Sequence, residues 1–246
     1  MGGALPIAVC CFLVHHWWLG AGEIDPPPGP ITATGRFGPR IEVNQLPGDG
    51  IATHIITAPG SYYLSGNIAG ESGKSGIDIR SGNVTLDLNG FALIGVAGSG
   101  SGIVGSLATT EAIVIRNGTI DSWGDRGISL GGTNIRRVDS VMVRNNGNYG
   151  IQIQGGFGHL IRNCTVIGNG QSVVSGGIFS SENSLLIDCT ARENVGIGIT
   201  AGFCNITNCN SFANTVSDID GVSSLVRSCA FGVGGNLTGA SLIDNL

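Results

Sequence analysis

A single lysine, Lys74, stands in a chain of 246 residues, and eleven dispersed arginines supply the rest of the positive charge. Charged residues make up only 12%, about half the usual share, and the net charge is −5. That excludes the clustered basic surface that nucleic-acid binding requires. Helical patterning is missing as well. No window sustains an apolar period of 3.6 residues over the length of a helix. No CxxC pair is present and no histidine cluster accompanies the cysteines, which argues against a structural zinc site. Glycine is abundant instead, with 43 residues, and 41% of the chain is hydrophobic. That is too apolar for a disordered chain.

One short phrase recurs. It reads Gly76-Ile77-Asp78-Ile79, Gly127-Ile128-Ser129-Leu130, Gly150-Ile151-Gln152-Ile153, Gly177-Ile178-Phe179 and Gly196-Ile197-Gly198-Ile199. Each copy leads to a second apolar run ending in a polar and a small residue: Asn117-Gly118, Asp139-Ser140, Asn163-Cys164, Asp188-Cys189, Asn208-Cys209 and Ser228-Cys229. From Asn163 these endings lie 25, 20 and 20 residues apart. Such a period marks an array of units, none of which can bury its apolar face alone. The runs are short, rich in Ile, Val, Leu and Thr, and bounded by Gly, Asn and Ser, so they read as strands.

Alternation within the runs puts Ile161, Cys164 and Val166 on one face. The same offsets give Leu186, Cys189 and Ala191, then Ile206, Cys209 and Ser211, then Val226, Cys229 and Phe231. Matched columns predict an all-β parallel solenoid of about seven coils, spaced about 4.8 Å apart. The strands holding Ile151, Ile178 and Ile197 should lie side by side. Asparagine tolerates the left-handed backbone of a sharp corner. A second corner column is expected six residues on, at Gly95, Trp123, Asn145, Asn169, Asn194, Asn214 and Gly234.

The stretch Asn83-Val84-Thr85-Leu86-Asp87-Leu88-Asn89-Gly90-Phe91 resembles the opening coil of right-handed parallel β-helix repeat proteins, the pectate-lyase-like superfamily. Ile56 to Ile68 resembles the cap preceding that coil in a large group of secreted bacterial β-helix proteins. The likeness runs from about Pro47 to the end and implies a right-handed coil.

Four segments follow. Residues 1–22 read as a signal peptide with an apolar run from Leu5 to Leu19, although Met1 to Pro6 carries no basic residue. Residues 23–50 read as a Pro- and Gly-rich linker, 51–75 as an N-terminal cap and 76–246 as the repeats. The expected location is secreted or cell-surface, with no membrane span after leader removal. Five cysteines then remain: Cys164, Cys189, Cys204, Cys209 and Cys229. Four share a column, where parallel Cβ vectors suit buried thiols better than disulfides.

Enzymes of the resembling superfamily use acidic residues that hold calcium together with a base, or clustered carboxylates acting as acid and base. Two acidic spots stand out here. Asp121, Asp125 and Arg126 flank Trp123, and an aromatic beside polar groups suits a sugar ring. Asp218 and Asp220, two apart on one strand, would share a face and offer oxygens to a hard cation such as calcium. His159 reads as a solvated loop residue. The outward column before the corner reads Leu88, Arg116, Val138, Arg162, Ile187, Thr207 and Arg227, with no acid. No catalytic residue is assigned, and calcium is the one cofactor considered. The expected role is a non-catalytic exported scaffold, with polysaccharide as partner. The alternative is a lyase, epimerase or hydrolase acting on uronate-rich glycans. Its mark would be three or more carboxylates with Arg, Lys or His on one face of adjacent coils.

Overall fold

The computed structural model describes residues 39–105, 112–133, 135–232, 234–235 and 237–245. The leader and residues 23–38 of the linker lie outside these. The described chain winds as a parallel β-solenoid of two sheets. The first sheet stacks eight strands, in the order Ala52–Ile56, Ser75–Ile79, Ile103–Gly105, Ile128–Gly131, Ile151–Gln154, Gly176–Ser180, Ile197–Ala201 and Ser217–Asp220. Eight turns result, one more than expected, because the segment read as a cap is itself a coil. Its strand Ala52–Ile56 pairs in register with Ser75–Ile79.

The second sheet has sixteen strands. It is creased lengthwise into two panels. The front panel includes Gly60–Tyr63, Val84–Asp87, Leu160–Arg162, Leu185–Ile187, Asn205–Thr207 and Leu225–Arg227. The side panel includes Ala92–Ile94, Thr165–Ile167, Thr190–Arg192 and Asn210–Phe212. The long strands Ile113–Asp121 and Arg136–Arg144 cross the crease and belong to both. The end of the predicted linker also joins this sheet, since Ile41–Glu42 pairs with Gly60–Tyr63 and Val43 is fully buried.

At the crease, Asn89, Asn117, Ser140, Asn163, Asp188, Asn208 and Ser228 all have φ between 50 and 59°. Asparagine and small polar residues recur there because the corner needs left-handed backbone, which β-branched residues resist. In one coil the left-handed residue is Ser140 and not Asp139, a shift of one from the sequence alignment. Asp139 therefore pairs with Arg116 and Arg162 on the strand before the corner.

The recurrent Gly-Ile phrase has a cause that appears only in three dimensions. Ile77, Ile103, Ile128, Ile151, Ile178, Ile199 and Ile219 form one buried row. The partner of Ile178 is thus Ile199 and not Ile197, although the strands are neighbours as expected. A Cβ added to Gly127, Gly150, Gly177 or Gly198 would come within 2.9, 2.9, 2.8 and 2.4 Å of the Nδ2 atoms of Asn146, Asn169, Asn194 and Asn214. Those asparagines form an internal ladder. Asn146 Nδ2 donates to Asn169 Oδ1 at 2.8 Å, Asn169 Nδ2 to Asn194 Oδ1 at 3.0 Å, and Asn194 Nδ2 to Asn214 Oδ1 at 2.9 Å. Each Oδ1 also accepts the backbone N–H of the asparagine before it. The rung in the fourth coil is Asn146, because Asn145 turns outward to Asp121.

Cys164, Cys189, Cys209 and Cys229 do stand in one row, all buried and free. Cys204 belongs to another internal row with His159, Ser184 and Ser224, in which the His159, Cys204 and Ser224 side chains cap backbone N–H groups of the preceding coil. Ser184 N–H donates to Cys204 Sγ, and Cys204 N–H to Ser224 Oγ. Among the described residues no helix is long and apolar enough to cross a membrane.

Candidate functional site

The structure separates the residues that sequence grouped around Trp123. The indole is inside the solenoid, 1% exposed, with its Nε1 donating to Leu93 O at 3.2 Å. It fills space left by glycines, lying against Gly70, Gly76 and Gly102. Its backbone N–H donates to Asn146 Oδ1, so it begins the asparagine ladder. An exposed ring for sugar stacking does not exist at this position. Asp121 lies on the side panel, bound by Arg144 Nε at 2.8 Å and Asn145 Nδ2 at 3.1 Å. Asp125 and Arg126 pair with each other at 2.7 Å on a different corner. On the next coil Tyr149 follows the position of Arg126, and its ring lies 5.8 Å from that of Phe179.

Asp218 and Asp220 are not an outward pair. Asp218 is 1% exposed and occupies the position that glycine fills in the coils before it. Its Oδ1 accepts Asn214 Nδ2 at 2.8 Å and Asn214 N–H at 3.2 Å, and its Oδ2 accepts Gly232 N–H at 2.9 Å. The carboxylate is the last acceptor of the ladder. Among the described residues no group of three or more His, Cys, Asp or Glu side chains could hold a metal ion.

His159 is fully buried and not solvated. Its Nδ1 accepts Arg136 N–H at 3.1 Å and its Nε2 donates to Gly155 O at 2.8 Å, which fixes a neutral tautomer. Burial drives its pKa down, and the nearby Arg136 adds to that against the Gly155 carbonyl. Arg136 is itself buried, with Nε and Nη2 donating to Gly131 O at 2.9 and 2.7 Å.

The corrected register reveals an outward column that sequence missed. On the front panel it reads Tyr63, Asp87, Arg116, Asp139, Arg162, Ile187, Thr207 and Arg227. The shift replaces Leu88 and Val138 by Asp87 and Asp139. Acid and base then alternate from coil to coil. Arg40 reaches Asp87 at 3.2 Å and lies over the Tyr63 ring at 4.9 Å. Arg116 reaches Asp87 at 3.1 Å. Asp139 receives Arg162 Nη2 at 2.6 Å and Nε at 2.8 Å, and Arg137 at 3.2 Å. Partial burial raises the Asp139 pKa, but hydrogen bonds from Arg162, Ser140 and Arg137 outweigh it and hold the carboxyl at about 2. The Asp121 carboxyl is lowered in the same way: burial raises it, and Ser122, Asn145 and Arg144 prevail.

Beside this column lies a groove of about 600 Å³. Its lining includes Ile135, Arg137, Leu160, Leu185, Phe203 and Asn205. Leu160, Leu185 and Asn205 are register partners on successive coils, so the groove runs along the solenoid axis.

The model of a family described as a right handed beta helix region matches residues 96–241. Among solved structures, the A-module of the mannuronan C-5 epimerase AlgE4 of Azotobacter vinelandii is similar at 14% identity, with a TM-score of 0.40. The alignment covers 84% of this chain and 65% of that one, so the chain spans just under two thirds of that module's length. No curated protein matches the chain. With the family match covering more than half of the sequence and a parallel solenoid throughout the described residues, the chain belongs to the right-handed β-helix family.

Proposed function

We propose that the protein is a non-catalytic extracellular scaffold that binds acidic polysaccharide along the front panel. The observation that carries this reading is the state of the carboxylates. The front panel gathers Asp87 and Asp139 with arginines on adjacent coils, and Asp121 stands past the crease on the side panel, which approaches the arrangement named above as the mark of an enzyme. Yet each is engaged by a guanidinium at 2.6–3.2 Å. A general acid or base works best with a pKa near the operating pH. Asp139, held at about 2, stays ionised at neutral pH and is a poor proton acceptor. Arg40, Arg116, Arg137, Arg162 and Arg227 meanwhile outnumber the acids of the front panel. They give a chain of net charge −5 a local surface that attracts polyanions.

The test uses polygalacturonate and alginate, each with and without calcium. The expected result is retention on the immobilised polymers that weakens as salt rises, with no unsaturated or new reducing ends released. Accumulating products that disappear in Asp121→Ala or Asp139→Ala would establish the enzyme instead.

A further inference from the structure

The apolar groove has no role in binding a bare polyanion, and its position calls for one. Ile135, Leu185 and Phe203 are 49, 37 and 55% exposed, and Leu160 lies between them. Over four successive coils this strip lies beside the outward column at Asp139, Arg162, Ile187 and Thr207, with Arg137, Leu160, Leu185 and Asn205 two residues from it and Ile135 and Phe203 four, and with Arg137 and Arg162 as its cations. Whatever lies on both must be extended along the axis, anionic on one side and apolar on the other.

Spacing narrows the class. An extended peptide laid along the axis presents same-face side chains about every 6.8 Å, out of step with coils spaced about 4.8 Å apart. A pyranose chain advances roughly one ring per coil, so its substituents can meet Leu160 and Leu185 in turn. Arg137 stands in the strip's own row, as the register partner of Leu160, and reaches Asp139 of the column. It is the weaker of the two guanidiniums on Asp139, at 3.2 Å against 2.6 Å for Arg162, and so is the one able to turn to a ligand carboxylate. We infer that the groove recognises acyl ester groups on an acidic polysaccharide, with Leu160, Leu185 and Phe203 receiving the acyl carbons and Arg137 the adjoining uronate. This rests on the polysaccharide-binding reading above.

The experiment compares immobilised polygalacturonate with the same polymer after O-acetylation. Wild type should prefer the acetylated polymer on the order of fivefold, the worth of about one buried methyl group per contact. The exposed double substitution Leu185→Ser with Phe203→Ser, shown to be folded by an unchanged urea midpoint, should erase that preference. It should leave affinity for the unacetylated polymer within about twofold, because the arginine column is intact. Equal binding of the two polymers by wild type, or a preference that survives the double substitution, would overturn this inference and leave polysaccharide binding standing. Retention of neither polymer would overturn both. Binding to phosphatidylserine–phosphatidylcholine vesicles that is lost in the double variant, with no acetyl preference, would mark the strip as a lipid contact and also overturn it.

Discussion

Asn214 Nδ2 donates to Asp218 Oδ1 at 2.8 Å, and this contact closes the polar ladder that runs through four coils of the solenoid. In a stack of asparagines every Oδ1 is used by the coil before it and every coil needs an acceptor from the next. The ladder cannot stop without a residue that only accepts. A carboxylate, acceptor-only when ionised, meets that requirement.

Asp218→Ala should therefore leave the Asn214 backbone N–H buried and unsatisfied, and remove the charged acceptor from its Nδ2, which keeps Ala191 O. The expected loss is about 2–4 kcal/mol, above that for an ordinary buried hydrogen bond because a charged acceptor is removed. Asp218→Asn keeps one acceptor but turns an NH2 group toward a backbone donor, and should cost less. Urea midpoints of the three proteins check this. An Ala variant as stable as wild type would remove Asp218 from the ladder.

Gly177→Ala should cost about 1–3 kcal/mol, because the new Cβ meets Gly198 O at 2.4 Å and Asn194 Nδ2 at 2.8 Å. Gly50→Ala, with nothing within 4 Å of its added Cβ, should be within about 0.5 kcal/mol of neutral. Equal midpoints for the two variants would mean that the Gly-Ile phrase reflects strand ends and not the ladder.

The Asp139 carboxyl is lower in the folded protein, at about 2, than its ordinary value of 3.8. Its contribution to stability is present above the ordinary pKa and is lost as pH falls from about 4 toward about 2. Asp139→Asn should flatten the dependence of the urea midpoint on pH in that window and change little of its slope at neutral pH. Parallel curves for the variant and wild type would show that Arg162 does not hold this carboxylate.

The four stacked thiols should be inert while the protein is folded. Hydrogen bonding to the preceding cysteine sulfur and burial push the Cys189 and Cys209 thiols well above the usual range. A thiol reagent at pH 8 should react only as fast as the protein opens, and denaturant should release all five of the described cysteines as free thiols. Mass-spectrometric detection of a disulfide among them would contradict the row of parallel thiols.

Ile178→Ala should cost about 2–5 kcal/mol, since Ile178 is fully buried in the Ile row. Arg162→Ala should cost far less, because the guanidinium is 41% exposed and Asp139 keeps Arg137, Ser140 and Asn163. Similar losses from the two would mean that inward and outward faces have been exchanged.

Sequence by itself determined the class of fold, the parallel stacking and the cysteine row, because coils of one architecture repeat the same local demands. A left-handed corner asks for Asn or a small polar residue, and an inward strand position asks for an apolar one. What sequence spacing could not determine was register to the single residue. A shift of one between Asp139 and Ser140 hid Asp139, since only φ distinguishes the corner residue from its neighbour, and the extra residue Leu88 before the Asn89 corner hid Asp87. Nor could it tell which side of a corner faces inward. Trp123, His159 and Asp218 read as surface groups because polar or amphipathic residues usually are. Tertiary structure buries all three: Trp123 and His159 meet a backbone acceptor and donor 30 and 23 residues away, and Asp218 meets the Asn214 amide that ends the ladder and the Gly232 N–H. The function of the outer face likewise depends on pairings between coils, which no single stretch of the chain contains.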